Sequence, residues 1–169
     1  MAHAAGALTC VDGVSMAPHG LPDVSELGAD IYLFSSYKTY GPHQGIMIIR
    51  RALADKLPNQ AHFFNADIRT KRFTPAGPDH AQIAATAGIV DYIDAVYAHH
   101  FKHKNDIAAR ARAVSDLQRA HEDRILVPLL EFLRGRNDVR ILGNNHIETV
   151  TSRLTTVAIL AKRPANLNA

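Results

Sequence analysis

Three short apolar runs constrain this chain more than anything else in it. "ALTCV" at 7–11, "DIYLFS" at 30–35 and "GIMIIR" at 45–50 are nearly unbroken hydrophobic stretches of strand length. A strand with one wet face alternates apolar and polar residues. The two later runs do not, which predicts strands covered on both faces, as in an open α/β sheet. Turn signals punctuate them: Asp12-Gly13 after the first, Gly41-Pro42 soon after the second, and Pro58 after a helical stretch at 51–57 that follows the third. "DVSEL" at 23–27, between Pro22 and Gly28, predicts a short helix.

Beyond this region the pattern changes. Residues 58–78 are rich in loop residues and carry the basic "RTKRF". Ile83, Ala87, Val90, Ile93 and Tyr97 then recur at helical spacing, with Asp79 placed to cap the helix. A longer helical pattern covers 105–134 and opens on Asn105-Asp106. It carries Ile107, Ala111, Val114, Leu117, Ile125, Leu129 and Phe132 and ends at Gly135. Pro128 inside it is expected to kink or split it. Strands are predicted at 138–143 and 153–161. The expected organisation is an α/β portion over 1–103 and a long helix with a partial α+β portion over 104–169. Three strands make a poor parallel sheet alone, so a piece of a larger protein is expected.

Composition narrows the classes. With 47% hydrophobic and 21% charged residues, the 169-residue chain has the make-up of a globular protein with a real core. A net charge of +3 with dispersed basic residues leaves no nucleic-acid footprint. Cys10, the single cysteine, excludes an internal disulfide and a multi-cysteine metal site, and is expected to be a buried small hydrophobe. "MAHAAGALTCVDG" has no basic-then-apolar leader pattern, and no apolar run approaches about 18 residues. A cytoplasmic location, with neither nucleic-acid nor membrane partner, is expected.

Two strand-end residues carry the chemistry. Asp12 lies just past one predicted strand and Lys38, in "FSSYKTYGP", just past the next. Open α/β sheets gather ligand residues at the carboxyl ends of their strands. Each residue alone has an ordinary reading, a turn aspartate and a surface lysine. Together they are opposite charges able to converge on one crevice. Pyridoxal phosphate calls for both: a lysine amine to form a Schiff base with its aldehyde, and a carboxylate to keep the pyridine nitrogen protonated. His99, His100 and His103 are best read as a solvated helix end rather than a metal site, with 99 and 103 one turn apart if the helix persists. Arg50, Arg51 and "LRGRN" read as solvated faces.

Residues 11–50, "VDGVSMAPHGLPDVSELGADIYLFSSYKTYGPHQGIMIIR", resemble the cofactor-lysine region of class V aminotransferases, and within them the cysteine desulfurase-like branch. The likeness continues through "RFTPAGPDHAQIAATAGIVDYI". It implies the aspartate aminotransferase-like fold of pyridoxal-phosphate enzymes of fold type I. The chain would hold the second half of the large domain and the start of the small one. By position, Lys38 would be the Schiff-base lysine and Asp12 the partner of the pyridine nitrogen. Ser35 and Tyr37 would be phosphate contacts, Tyr37 standing where many members have histidine. Ser15 would lie near the ring's phenolic oxygen.

Gly77 stands where the family has a threonine that reaches a phosphate of the neighbouring subunit, and Thr74 lies too early to replace it. Arg72 belongs to a loop that lies at the family's subunit interface. The rest of the family's pocket is expected outside this chain, which alone should therefore hold the cofactor weakly. The implied activity is that of a pyridoxal 5'-phosphate enzyme acting on an amino acid, homodimeric in the full-length parent. The alternative is an inactive remnant that only dimerises or binds a partner. A generic nucleotide-binding domain is disfavoured because no glycine-rich phosphate loop is present.

Overall fold

A computed structural model describes residues 1–74, 77–143 and 157–161. The chain divides into two compact units, Met1–Asn105 and Asp106–Ala169.

The first unit is built on a sheet of β1 (Cys10–Asp12), β2 (Ile31–Ser35) and β3 (Gly45–Ile49), in that order across the sheet. β1 runs parallel to β2, with Cys10 opposite Ile31 and Asp12 opposite Leu33. β3 returns antiparallel, with Ser35 opposite Gly45 and Ile31 opposite Ile49. Loop length explains the difference. A parallel crossover takes roughly a dozen residues or more. The link through α1 (Val24–Leu27) supplies them, and the link from Ser35 to Gly45 does not. Helix α1 starts where Asp23 Oδ1 accepts the Ser25 N–H at 2.9 Å, and ends at Gly28 with φ 73°.

Tyr32 and Phe34 alternate into the core, packed with Ala17, Val11, Val24 and Ile46. Two-sided burial, expected for the apolar runs, is not reached on β3, where Met47 and Ile48 are exposed. Cys10 is exposed too, contrary to the buried position expected of it. It sits on an edge strand of only three residues, shorter than the predicted 7–11.

At the amino end of β2, Asp30 is 8% exposed and ties three segments together. Its Oδ2 accepts the Thr9 N–H at 2.8 Å and lies 2.8 Å from His3 Nε2. Arg50, exposed as expected, lies 3.7 Å from Oδ1 and donates from Nε to the Ala29 carbonyl at 2.9 Å, so it adds a tie from the solvated side.

After a short α2 (Arg51–Ala54), the pattern expected as one helix forms two, α3 (His80–Ala85) and α4 (Gly88–His100). Asp79 caps α3 as expected, accepting from Ala81 N–H at 3.0 Å and Gln82 N–H at 3.1 Å. The break falls where the Thr86 hydroxyl bonds back to the Gln82 and Ile83 carbonyls, just before Gly88.

In the second unit, α5 (Ile107–Arg134) starts on Asp106, whose carboxylate accepts the Ala109 N–H at 2.8 Å. It runs unbroken through Pro128 and is not split there. Leu126 and Leu130, either side of that proline, are buried and packed against the partly buried Val127, Ile141 and Val157. That packing offsets the roughly 3 kcal/mol an interior proline costs. β4 (Val139–Leu142) and β5 (Ala158–Ala161) pair antiparallel, Val139 opposite Ala161. The start of the predicted strand 153–161 lies outside the described residues. Among the described residues no helix is long and apolar enough to cross a membrane.

Candidate active site

Because β1 and β2 are parallel, their carboxyl ends open on the same edge of the sheet. Asp12 is the last residue of β1 and Ser35 the last of β2. Lys38 follows in a 3-10 turn, Ser36–Thr39, which packs against the 3-10 turn Ala17–His19 that follows β1. The topology thus places Asp12 at the end of β1 and Lys38 in the turn after β2, at the same edge of the sheet on neighbouring strands whose axes are about 4.8 Å apart. His19 lies half-buried on the Ala17–His19 turn, Ser15 exposed just before it.

The Asp12 carboxylate is exposed. One oxygen, Oδ1, accepts the Val14 N–H at 3.0 Å and so closes its own turn. The other has no hydrogen-bond partner among the described residues. Lys38 is exposed, and among the described residues its ammonium makes no hydrogen bond or ion pair.

The turn that carries Lys38 is held from below. Ser36 is fully buried, and its hydroxyl lies within bonding distance of the Pro42 carbonyl (2.5 Å) and the Gln44 carbonyl (2.9 Å). Thr39 donates from Oγ1 to the Ser36 carbonyl at 2.9 Å. The chain reverses at Tyr40, in the left-handed region with φ 68°, whose ring packs on Tyr92 with centroids 4.4 Å apart. At Gly41 a Cβ would meet Ile89 Cδ1 at 2.8 Å, so the loop lies directly on α4. Ile89 and Tyr92 are three apart, on one helix face. The loop is therefore braced by a helix distant in sequence.

Ser35 is half-buried, and its hydroxyl is not spent on capping the turn. Tyr37 is exposed, its ring stacked on His43 with centroids 4.5 Å apart and planes 5° from parallel. His43 went unnoticed in the sequence, although the histidine just after Gly41-Pro42 was a usable signal. Tyr32 carries no functional signal in the sequence, and Gly13 reads there only as half of a turn. Tyr32 is 1% exposed, and its hydroxyl lies beneath Gly13, where an added Cβ would sit 2.1 Å from it. Burial, and then the Asp12 charge, push the Tyr32 phenol's pKa above its ordinary value.

The other candidates fall elsewhere. A cleft of 760 Å³ lies on the β3 side, lined by Met47, Arg51, Arg69, Phe73 and Ile83 among others, and contains none of the five predicted site residues. Gly77, also on that cleft, has φ 69°, a conformation in which a β-branched residue is strained. Arg72 bonds the Leu57 carbonyl and lies over the Phe73 ring within its own unit. Helix α4 ends at His100, so His103 is not one turn on from His99. Its carbonyl instead accepts the Tyr97 hydroxyl at 3.1 Å.

Comparison with known proteins identifies the family. Residues 1–138 match the family model for aminotransferase class-V, and the chain belongs to that family, whose enzymes depend on pyridoxal phosphate. It is 34% identical over 154 residues to the aminotransferase-like protein FGM3 of Gibberella zeae, covering 90% of this chain and 34% of that protein. It is 33% identical over 154 residues to a probable cysteine desulfurase of Pseudomonas putida, covering 84% of this chain and 34% of that protein. The crystal structure of the cysteine desulfurase CsdA from Escherichia coli shares the fold, with a TM-score of 0.53 at 23% identity over 83% of this chain and 34% of that one. The fold is therefore α/β, of the fold-type I class. The chain spans about a third of the length of these relatives.

Proposed function

We propose that the shared edge of β1 and β2 forms one wall of a pyridoxal 5'-phosphate site, in a protein that acts on an amino acid. One observation carries this reading. A carboxylate and a lysine, the one with a spare oxygen and the other with no partner among the described residues, stand at the carboxyl ends of adjacent parallel strands. The donor set suits the cofactor: an amine for its aldehyde, an anion for its ring nitrogen and hydroxyls for its phosphate.

Lys38 would hold the cofactor through Nζ. Once displaced by a substrate amine, Nζ would take and return the proton at the substrate's α-carbon. Asp12 would hold the proton on the ring nitrogen through its free oxygen. Ser35 and Tyr37 would donate to the phosphate, the Tyr37 ring being kept in place by His43. Ser15 would stand near the phenolic oxygen. Bound there, the cofactor supplies an electron sink for negative charge at the α-carbon. Desulfuration, transamination and epimerisation all use that sink. The desulfurase-like branch is favoured by the likeness to the probable cysteine desulfurase of Pseudomonas putida. A homodimeric, cytoplasmic enzyme completes the proposal.

A second reading, an inert module that only associates, draws on one observation. The left-handed backbone at Gly77 disfavours the threonine that would reach a partner's phosphate. Titrating the chain with excess pyridoxal phosphate separates the two. Binding at Lys38 gives an absorption band at about 410–430 nm that Lys38→Ala removes. A band of equal strength in both proteins overturns the cofactor reading.

A further inference from the structure

We propose that the Tyr97 hydroxyl is a latch at the boundary of the first unit: closed, it makes residues 101–105 part of that unit, and open, it releases them as a free linker. The inference stands apart from the reading of Lys38 and of the cofactor.

Residues 101–105 have the make-up of a linker. They join α4 to α5 without helix or strand, and Lys102, His103, Lys104 and Asn105 are exposed. Phe101 alone among them is apolar. Yet the division between the units falls after them, between Asn105 and Asp106. The Tyr97 side chain accounts for that.

Tyr97, in the last turn of α4, is 5% exposed, and its hydroxyl reaches past the end of the helix. It donates to the His103 carbonyl at 3.1 Å and accepts from Asn105 Nδ2 at 2.7 Å. One oxygen thus holds the main chain at 103 and the side chain at 105. The ring stacks on Phe101 with centroids 4.9 Å apart, and the Phe101 N–H bonds the Tyr97 carbonyl at 2.8 Å. Phe101, His103 and Asn105 are therefore all gripped by a single residue. Immediately beyond, the Asp106 side chain serves α5 instead, accepting from Ala109 N–H. Phenylalanine at 97 would keep the ring and its stack but lose both bonds, so the oxygen is what closes the latch.

Helix α4 gives the latch its setting. Near its amino end, Ile89 and Tyr92 brace the loop that carries Lys38, and its carboxyl end carries Tyr97. The latch thus sets how far along the chain the unit that holds Lys38 extends. Two hydrogen bonds over an exposed segment open more readily than a packed core, which suits a latch.

The test digests the full chain under native conditions with a lysine-specific endoproteinase, read by mass spectrometry. Cutting of such a segment follows the population of its open state when opening is fast. Tyr97→Phe removes both bonds, so cutting after Lys102 and Lys104 should speed up about tenfold while cutting after the exposed Lys56 and Lys71 keeps its wild-type rate. Asn105→Ala removes one of the two bonds and should speed the same cuts about threefold, an arm that stands if Tyr97→Phe does not fold. Unchanged cutting after Lys102 and Lys104 in either folded variant, or an acceleration shared equally by Lys56 and Lys71, overturns the proposal.

Discussion

Replacing Gly13 by alanine should cost far more than its position in a turn suggests. Its φ lies outside the left-handed range, so the backbone would accept alanine and only space forbids it. The added methyl would meet three ring atoms of Tyr32: the hydroxyl oxygen at 2.1 Å, Cζ at 2.2 Å and Cε2 at 2.6 Å. Contacts that short require movement. The ring is 1% exposed and wedged against Ala17 and Phe34. The turn is held by its bonds to Leu33, Met16 and Ala17. Forcing an extra methyl into such a core costs about 1–3 kcal/mol, and the lack of slack puts Gly13→Ala near the top of that range.

A double-mutant cycle read by urea denaturation isolates the cause. Tyr32→Phe removes the oxygen but leaves Cζ in the way, so it should not rescue Gly13→Ala. Tyr32→Leu removes the ring tip and should recover at least about 1 kcal/mol of the loss as a coupling term. A Gly13→Ala chain within about 0.5 kcal/mol of wild type, or an additive cycle with leucine, would refute the packing described at this turn.

Three further outcomes follow from the same structure. Asp30 is held at about 2, against an ordinary 3.8, chiefly by the Thr9 N–H and then by His3. Its contribution to stability is complete above pH 3.8 and is lost as pH falls through about 2. Asp30→Asn should flatten the dependence of the urea midpoint on pH over that interval, and an unchanged slope contradicts the clamp. Ser36→Ala should cost only about 1 kcal/mol, because Pro42 and Gln44 carbonyls keep backbone donors at 2.8 Å. A loss above roughly 3 kcal/mol in denaturation would mean the hydroxyl does more than close the loop. Asp106→Ala removes the acceptor for the Ala109 N–H and should destabilise α5 by about 1 kcal/mol, seen as a lower thermal midpoint.

The parts of the fold written in local pattern were readable. β2 and β3 follow from their apolar runs, and the cap at Asp79 from residue type and place. Features set by distant contacts were not. The spacing of Ile83, Ala87 and Val90 runs straight through the Thr86 break, because a side chain bonding back to two carbonyls leaves no trace in periodicity. Pro128 signals a broken helix, but the burial of Leu126 and Leu130 outweighs it. Cys10 reads as core in composition and lies exposed because its strand is at an edge.

The candidate site divides the same way. The placement of Asp12 and Lys38 at the ends of neighbouring strands was legible from the apolar runs that precede them. The bracing by Ser36, Ile89 and Tyr92, and the phenol under Gly13, depend on contacts between segments that no local spacing records.

The central claim, that Lys38 is the lysine of a cofactor site rather than one surface amine among several, has a direct measurement. The chain is incubated with limiting pyridoxal phosphate, reduced with borohydride to fix any Schiff base, and digested for mass spectrometry. The label should concentrate on the peptide carrying Lys38, and Asp12→Asn should diminish that preference. Label shared evenly with exposed lysines such as Lys56 and Lys71 would contradict it.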